Sequence, residues 1–158
     1  MRAQAVLSAT VLFALIGAAA AADPDPIMGK WVFSSTQSVY SDPAHALVRA
    51  TAWYEPHGDN GMRFTSEIVR KDGSIIKRGW TANFDGKDYP VSGDDALDAV
   101  ALRRVNRHTI VFVYKNGGKL VSAQVRDVSP DLRTMTLIQL GVTASGAATN
   151  NTVIFLKE

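Results

Sequence analysis

The sequence predicts an all-β fold, an antiparallel up-and-down β-barrel of about eight to ten strands. Three observations carry that prediction. No segment sustains a helical apolar period over three turns. Short alternating or apolar runs recur with Asp-Gly, Asn-Gly and Pro-bearing turns between them. No helix long enough for a parallel crossover separates them, so the strands must pair antiparallel. An open sheet of this many strands would leave two long edges, and closure removes them. A two-sheet sandwich is the alternative arrangement.

The elements follow in order. "KWVFSSTQS" (30–38) opens the series, and "YSDPAHALVR" (40–49) connects it, with Asp42-Pro43 able to start one helical turn. "VRATAWYEP" (48–56) is stopped by Pro56. "MRFTSEIVR" (62–70) places Met62, Phe64, Ser66 and Ile68 on one face. "KDGS" (71–74) is a hairpin turn, and "IIKRGWTANF" (75–84) returns with Ile76, Arg78, Trp80, Ala82 and Phe84 in phase. Asp85-Gly86 reads as another turn, with "KDYPV" a short strand stub and "SGDDALD" (92–98) a solvated polar loop. "AVALRRV" (99–105), "HTIVFVYK" (108–115), "KLVSAQVRDVS" (119–129), "RTMTLIQLGV" (133–142) and "NTVIFLKE" (151–158) complete the set. The segments 99–105 and 109–115 are apolar on both faces, which implies that something covers the outside there or that a partner subunit packs on it.

Residues 1–22 read as a secretory signal peptide: Arg2, an apolar run, then small residues before Asp23-Pro24, with cleavage after Ala20 or Ala22. Residues 23–158 then form one domain, long enough for a real core. No second stretch could span a bilayer, so no stable membrane insertion is expected after cleavage. The chain has no cysteine, which removes disulfides, thiolate zinc sites and a thiol nucleophile. An exported domain without disulfides points to the bacterial periplasm or to bacterial secretion.

The formal net charge is +2, and the basic residues are scattered. Arg103 and Arg104 are adjacent in a strand and face opposite sides, so nucleic-acid binding is not expected. His45, His57 and His108 lack metal-ligand spacing. Asp94, Asp95 and Asp98 lack the order and the bidentate carboxylate of a calcium loop. No Gly-x-Ser-x-Gly elbow or phosphate loop occurs. Nothing here implies a cofactor, a metal or an enzyme.

Other residues carry a resemblance. "GKW" (29–31) opens the first strand, and "VIFLKE" ends the chain. Between them lie Trp53, Tyr54, Glu55, Pro56, Gly58, Asp59 and Gly61, then a "DGK-x-YPV-x-G" element from Asp85 to Gly93, and the asparagine pair before the last strand. The chain resembles the calycin group, lipocalins and fatty-acid-binding proteins, and more closely a set of small, mostly uncharacterised, exported bacterial lipocalin-like proteins. The resemblance implies a lipocalin-like barrel binding one small hydrophobic or amphipathic molecule without catalysis. It also implies a basic residue of the final strand over the first-strand Trp, for which Lys157 is the candidate. The Arg-x-Tyr with which fatty-acid-binding proteins hold a carboxylate has no match, since Val153 and Phe155 stand there.

The candidate ligand-binding residues are Phe64, Trp80 and Phe112 as apolar walls, and Arg78, which shares the parity of Trp80 and so points inward. Arg104 and Arg126 are weaker candidates of the same kind. The alternative function is a filled barrel serving as a structural or protein-interaction module of the periplasm, with an oligomer possible.

Overall fold

The computed structural model describes residues 23–142 and 146–158. The expected signal peptide lies outside the described residues. Ten strands form one sheet: β1 (Gly29–Tyr40), β2 (Leu47–His57), β3 (Gly61–Arg70), β4 (Ile75–Asn83), β5 (Asp85–Pro90), β6 (Ala99–Arg104), β7 (Thr109–Asn116), β8 (Lys119–Val128), β9 (Thr134–Val142) and β10 (Ala148–Lys157). A single 3-10 turn, Pro43–His45, stands between β1 and β2. Asp42 caps it through Ala44 N–H.

Apart from β4 and β5, neighbours in sequence are neighbours in the sheet, and β1 pairs with β10, so the ladder runs β4-β3-β2-β1-β10-β9-β8-β7-β6-β5. The barrel closes incompletely between β4 and β5. There Gly79 and Ser92 exchange two backbone hydrogen bonds of 3.0 and 2.9 Å and form one isolated bridge.

Asp85-Gly86 is not the free turn expected from its composition. Asp85 is already paired with Arg103 of β6, and the register shifts between Asp85 and Asp88. Gly86 sits at φ 76°, with the Arg103 guanidinium where a Cβ would project, so the pair forms a bulge. Tyr89 donates to Asp85 at 3.0 Å, which pins the bulge.

One end of the barrel is packed solid. Trp31, Met62, Leu102, Ile110, Phe112 and Met135 are fully buried there. The segment before β1 seals this end. Ile27 is buried, its carbonyl accepts from Trp31 Nε1 at 2.7 Å, and Asp25 and Asp23 pair with Arg104 and Arg107. Lys157 Nζ lies 5.1 Å over the Trp31 ring and donates to the Pro26 carbonyl at 3.2 Å. Partial burial lowers the Lys157 pKa, against the opposing pull of Asp25.

Candidate functional site

The other half of the barrel is hollow. A cavity of about 630 Å³ opens at the end that carries the β1–β2, β3–β4 and β5–β6 connections. That volume lies within the roughly 300–1,000 Å³ of small-molecule sites. Its apolar wall comes from β2 and β3 through Ala50, Ala52, Phe64 and Ile68, and from Val153 and Phe155 of β10. The remaining wall is polar. Gln124 and Arg126 of β8, Gln139 of β9 and Asn151 of β10 all face in.

Arg126 is the distinctive residue of this site. It is 3% exposed, yet among the described residues no carboxylate pairs with it. Its guanidinium donates to the Tyr54 hydroxyl, to Gln124 Oε1 at 2.8 Å and to the Tyr114 hydroxyl at 3.3 Å. It also lies 4.0 Å over the Phe112 ring and 5.3 Å over Phe64. All of these partners are neutral. Burial pushes the Tyr54 hydroxyl up to about 12, with Arg126 pulling the other way, so the phenol stays protonated at ordinary pH. The positive charge is therefore solvated by dipoles and ring faces without being neutralised. Arg126 Nε and Ser66 Oγ are buried with no hydrogen-bond partner among the described residues, and both residues line the cavity.

The six expected residues divide by position. Phe64, Arg78 and Arg126 line the cavity. Trp80 and Phe112 lie beneath it, in a ring ladder in which Phe64 stacks on Trp80 at 4.8 Å and Trp80 meets Phe112 at 5.9 Å. Arg104 does not reach the cavity. It stands at the closed end of β6, 2.5 Å from Asp25 and 4.1 Å over Phe84. Its strand parity is inward, but its height along the barrel is that of the floor.

Arg78 is inward as its parity predicts, and it has a partner. Asp94 binds it through both Nε and NH2, with only 4% of the Asp94 side chain exposed. The 92–98 segment is thus not simply a solvated loop. Asp94 is buried against β4, while Asp95 and Asp98 remain outside. Gly93, at φ 75°, permits this, because a Cβ would strike the Lys77 carbonyl. Ala96 of the same segment lines the cavity mouth.

The sequence reading left out Tyr54, Gln124, Gln139 and Asn151. Gln124 had a signal in β8: Ser122 and Gln124 stand in phase with Arg126, while Val121, Ala123 and Val125 stand out of phase. The cavity lining carries Arg70, Lys71, Arg78 and Arg126 but one carboxylate, Asp72. Asp72 sits at the mouth, where hydrogen bonds from Ser74 hold its carboxyl below the usual range. Among the described residues no group of His, Cys, Asp and Glu could hold a metal ion.

These features define a calycin-like barrel with an internal cavity. A variant of the fluorescent protein UnaG has this fold, with a TM-score of 0.50 and 13% identity over 81% of this chain and 94% of that one. The zebrafish ileal bile acid-binding protein, solved with cholic acid, shares it equally, with a TM-score of 0.50 and 13% identity over 84% of this chain and 98% of that one. At such identity the likeness is one of fold. No protein-family model matches the sequence, and no curated protein does.

Proposed function

We propose that this chain is an exported bacterial carrier, periplasmic or secreted, that binds one small amphipathic anion in its barrel and performs no catalysis. The apolar part of the ligand lies along β2, β3 and β10. Its anionic end meets Arg126. One observation carries this reading: a buried guanidinium faces a cavity of about 630 Å³, and among the described residues no carboxylate pairs with it. A charge held in that state is costly to the empty protein and becomes favourable when an anion completes it. Export is supported by the composition of residues 1–22.

The test is titration of the purified protein with an environment-sensitive fatty-acyl probe carrying a free carboxylate, followed by displacement with unlabelled anions. Saturable binding with one site per chain is expected. The absence of a saturable signal across several ligand classes overturns the reading. Mass spectrometry of molecules carried by protein from its native compartment then names the ligand. The alternative, a filled barrel acting as an interaction module, draws support from the closed end, where side chains occupy the whole interior. The same titration separates the two.

A further inference from the structure

Resting on the carrier reading above, we infer that the ligand bears hydrogen-bond-accepting oxygens along one side, beyond its anionic end, and that the side-chain amides of Gln124, Gln139 and Asn151 read them. The strand register puts these three amides in one row. Gln124 of β8 is the cross-strand partner of Gln139 of β9, and Gln139 is the partner of Asn151 of β10. All three line the cavity. At about 4.8 Å between strands the row spans roughly 10 Å of wall. It begins beside the Arg126 guanidinium, which Gln124 touches.

The neighbours of each amide decide which end of it is left for the cavity. An arginine only donates, so Gln124 must turn its oxygen to Arg126, and Oε1 accepts there at 2.8 Å. Its NH2 group is left over. Asn151 is set from the other side of the row. Its Oδ1 accepts from the Ser41 backbone N–H at 3.1 Å and from the Ser41 hydroxyl at 3.4 Å. Its NH2 group then faces Gln139 Oε1 at 3.5 Å, which leaves the NH2 group of Gln139 over in turn. Neither glutamine nitrogen makes a hydrogen bond among the described residues. The row is a file of donors, with Arg126, another pure donor, at its end.

The wall across the cavity has the opposite character, since Ala50, Ala52, Phe64 and Ile68 of β2 and β3 offer it no polar side chain. A plain alkyl chain laid on the amide row would take water from Gln124 and Asn151, which are 6% and 8% exposed, and return no hydrogen bond. A ligand whose polar groups only donate finds its acceptors already taken by Arg126 and Ser41. A ligand with carbonyl or ether oxygens toward β8–β10 and hydrocarbon toward β2–β3 satisfies both walls. The amide row thus selects among amphipathic anions, while Arg126 selects for the charge.

The experiment displaces the carboxylate-bearing fatty-acyl probe from the purified protein with three acids of equal length. One is hexadecanoic acid, one carries a ketone in the half nearer the carboxylate, and one carries the ketone beside the terminal methyl. The near ketone should bind about tenfold tighter than the other two, as one well-made hydrogen bond allows. Gln139→Leu should reduce that preference to less than about threefold and leave hexadecanoic acid bound at least as well. Gln139 is the residue to change because Gln124 also holds Arg126 and Asn151 also holds Ser41. If Gln139→Leu fails to fold, the three acids compared on the unaltered protein still decide. Equal affinity for all three overturns the inference and leaves the carrier reading standing. A preference undiminished in Gln139→Leu takes the oxygen away from the amide row and also overturns it. No displacement by any of the acids overturns the carrier reading, and this inference with it.

Discussion

Replacing Arg126 by Met should separate the charge of the ligand from its shape. In the empty barrel the substitution removes hydrogen bonds to three neutral acceptors and a ring contact at 4.0 Å, and it also relieves the desolvation of a buried cation. Charge-assisted hydrogen bonds contribute about 1.5–3 kcal/mol each, and the effective desolvation penalty of an ion is several kcal/mol. The two nearly cancel, so the free protein should change in stability by no more than about 2 kcal/mol in either direction. The bound state differs. A carboxylate against Arg126 forms two charge-assisted bonds, offset in part by its own desolvation, for a net of roughly 2–4 kcal/mol. That corresponds to about 30- to 1,000-fold in affinity. The assay compares a fatty acid with its methyl ester against both proteins by probe displacement. The acid should weaken by at least about 30-fold in Arg126→Met, and the ester by less than about threefold. Equal weakening of acid and ester would mean that Arg126 only shapes the cavity, and the reasoning would fall.

Two more predictions follow from the same interior. Burial raises the Tyr54 and Tyr40 hydroxyls to about 12 from 10.0, against lowering contributions from Arg126 and from the Leu47 backbone respectively. Their stabilising contribution is fully present below pH 10 and is lost as the pH rises through about 12. For the enclosed Tyr54 this corresponds to about 2–3 kcal/mol, and for the half-buried Tyr40 solvent screening makes it less. Absorbance titration should show at least two of the four tyrosines ionising late and together with unfolding. Early ionisation of all four would contradict the burial. Asp94→Ala should cost about 1–3 kcal/mol in urea denaturation, because it takes the carboxylate from Arg78, a cation only 13% exposed. The double change Arg78→Met with Asp94→Leu should recover most of that loss, and a double variant as unstable as the single one would count against the pair.

The strands were legible in the sequence because alternation and turn residues are local signals. Strand parity also gave the direction of Phe64, Arg78, Trp80 and Phe112. Parity does not give height along the barrel, which is why Arg104 belongs to the floor and Arg126 to the cavity although both point inward. Nor does it show a partner that crosses a gap in the sheet. Arg78 meets Asp94 because 92–98 folds back over β4 at Gly93, and nothing local in "SGDDALD" distinguishes the buried aspartate from its two exposed neighbours. Gln124 alone of the polar wall left a trace, the out-of-phase valines of β8. The same trace bears on the two-faced apolarity of β7, since the outer surfaces of the two strands adjoin.

The ladder between β1 and β10 has a consequence for how the molecule comes to exist. It joins Trp31 to Lys157 and Phe33 to Phe155, so the barrel is zipped shut by residues from opposite ends of the described chain. Every other ladder pairs strands that are adjacent in sequence and can form as the chain appears. Closure must wait for the last strand, and until then β1 and β10 each present an unpaired edge. The slow step of folding should therefore be the meeting of these two edges, and capture by aggregation should be most acute just before it. Lys30 and Glu158 form an ion pair of 2.6 Å at one end of the seam.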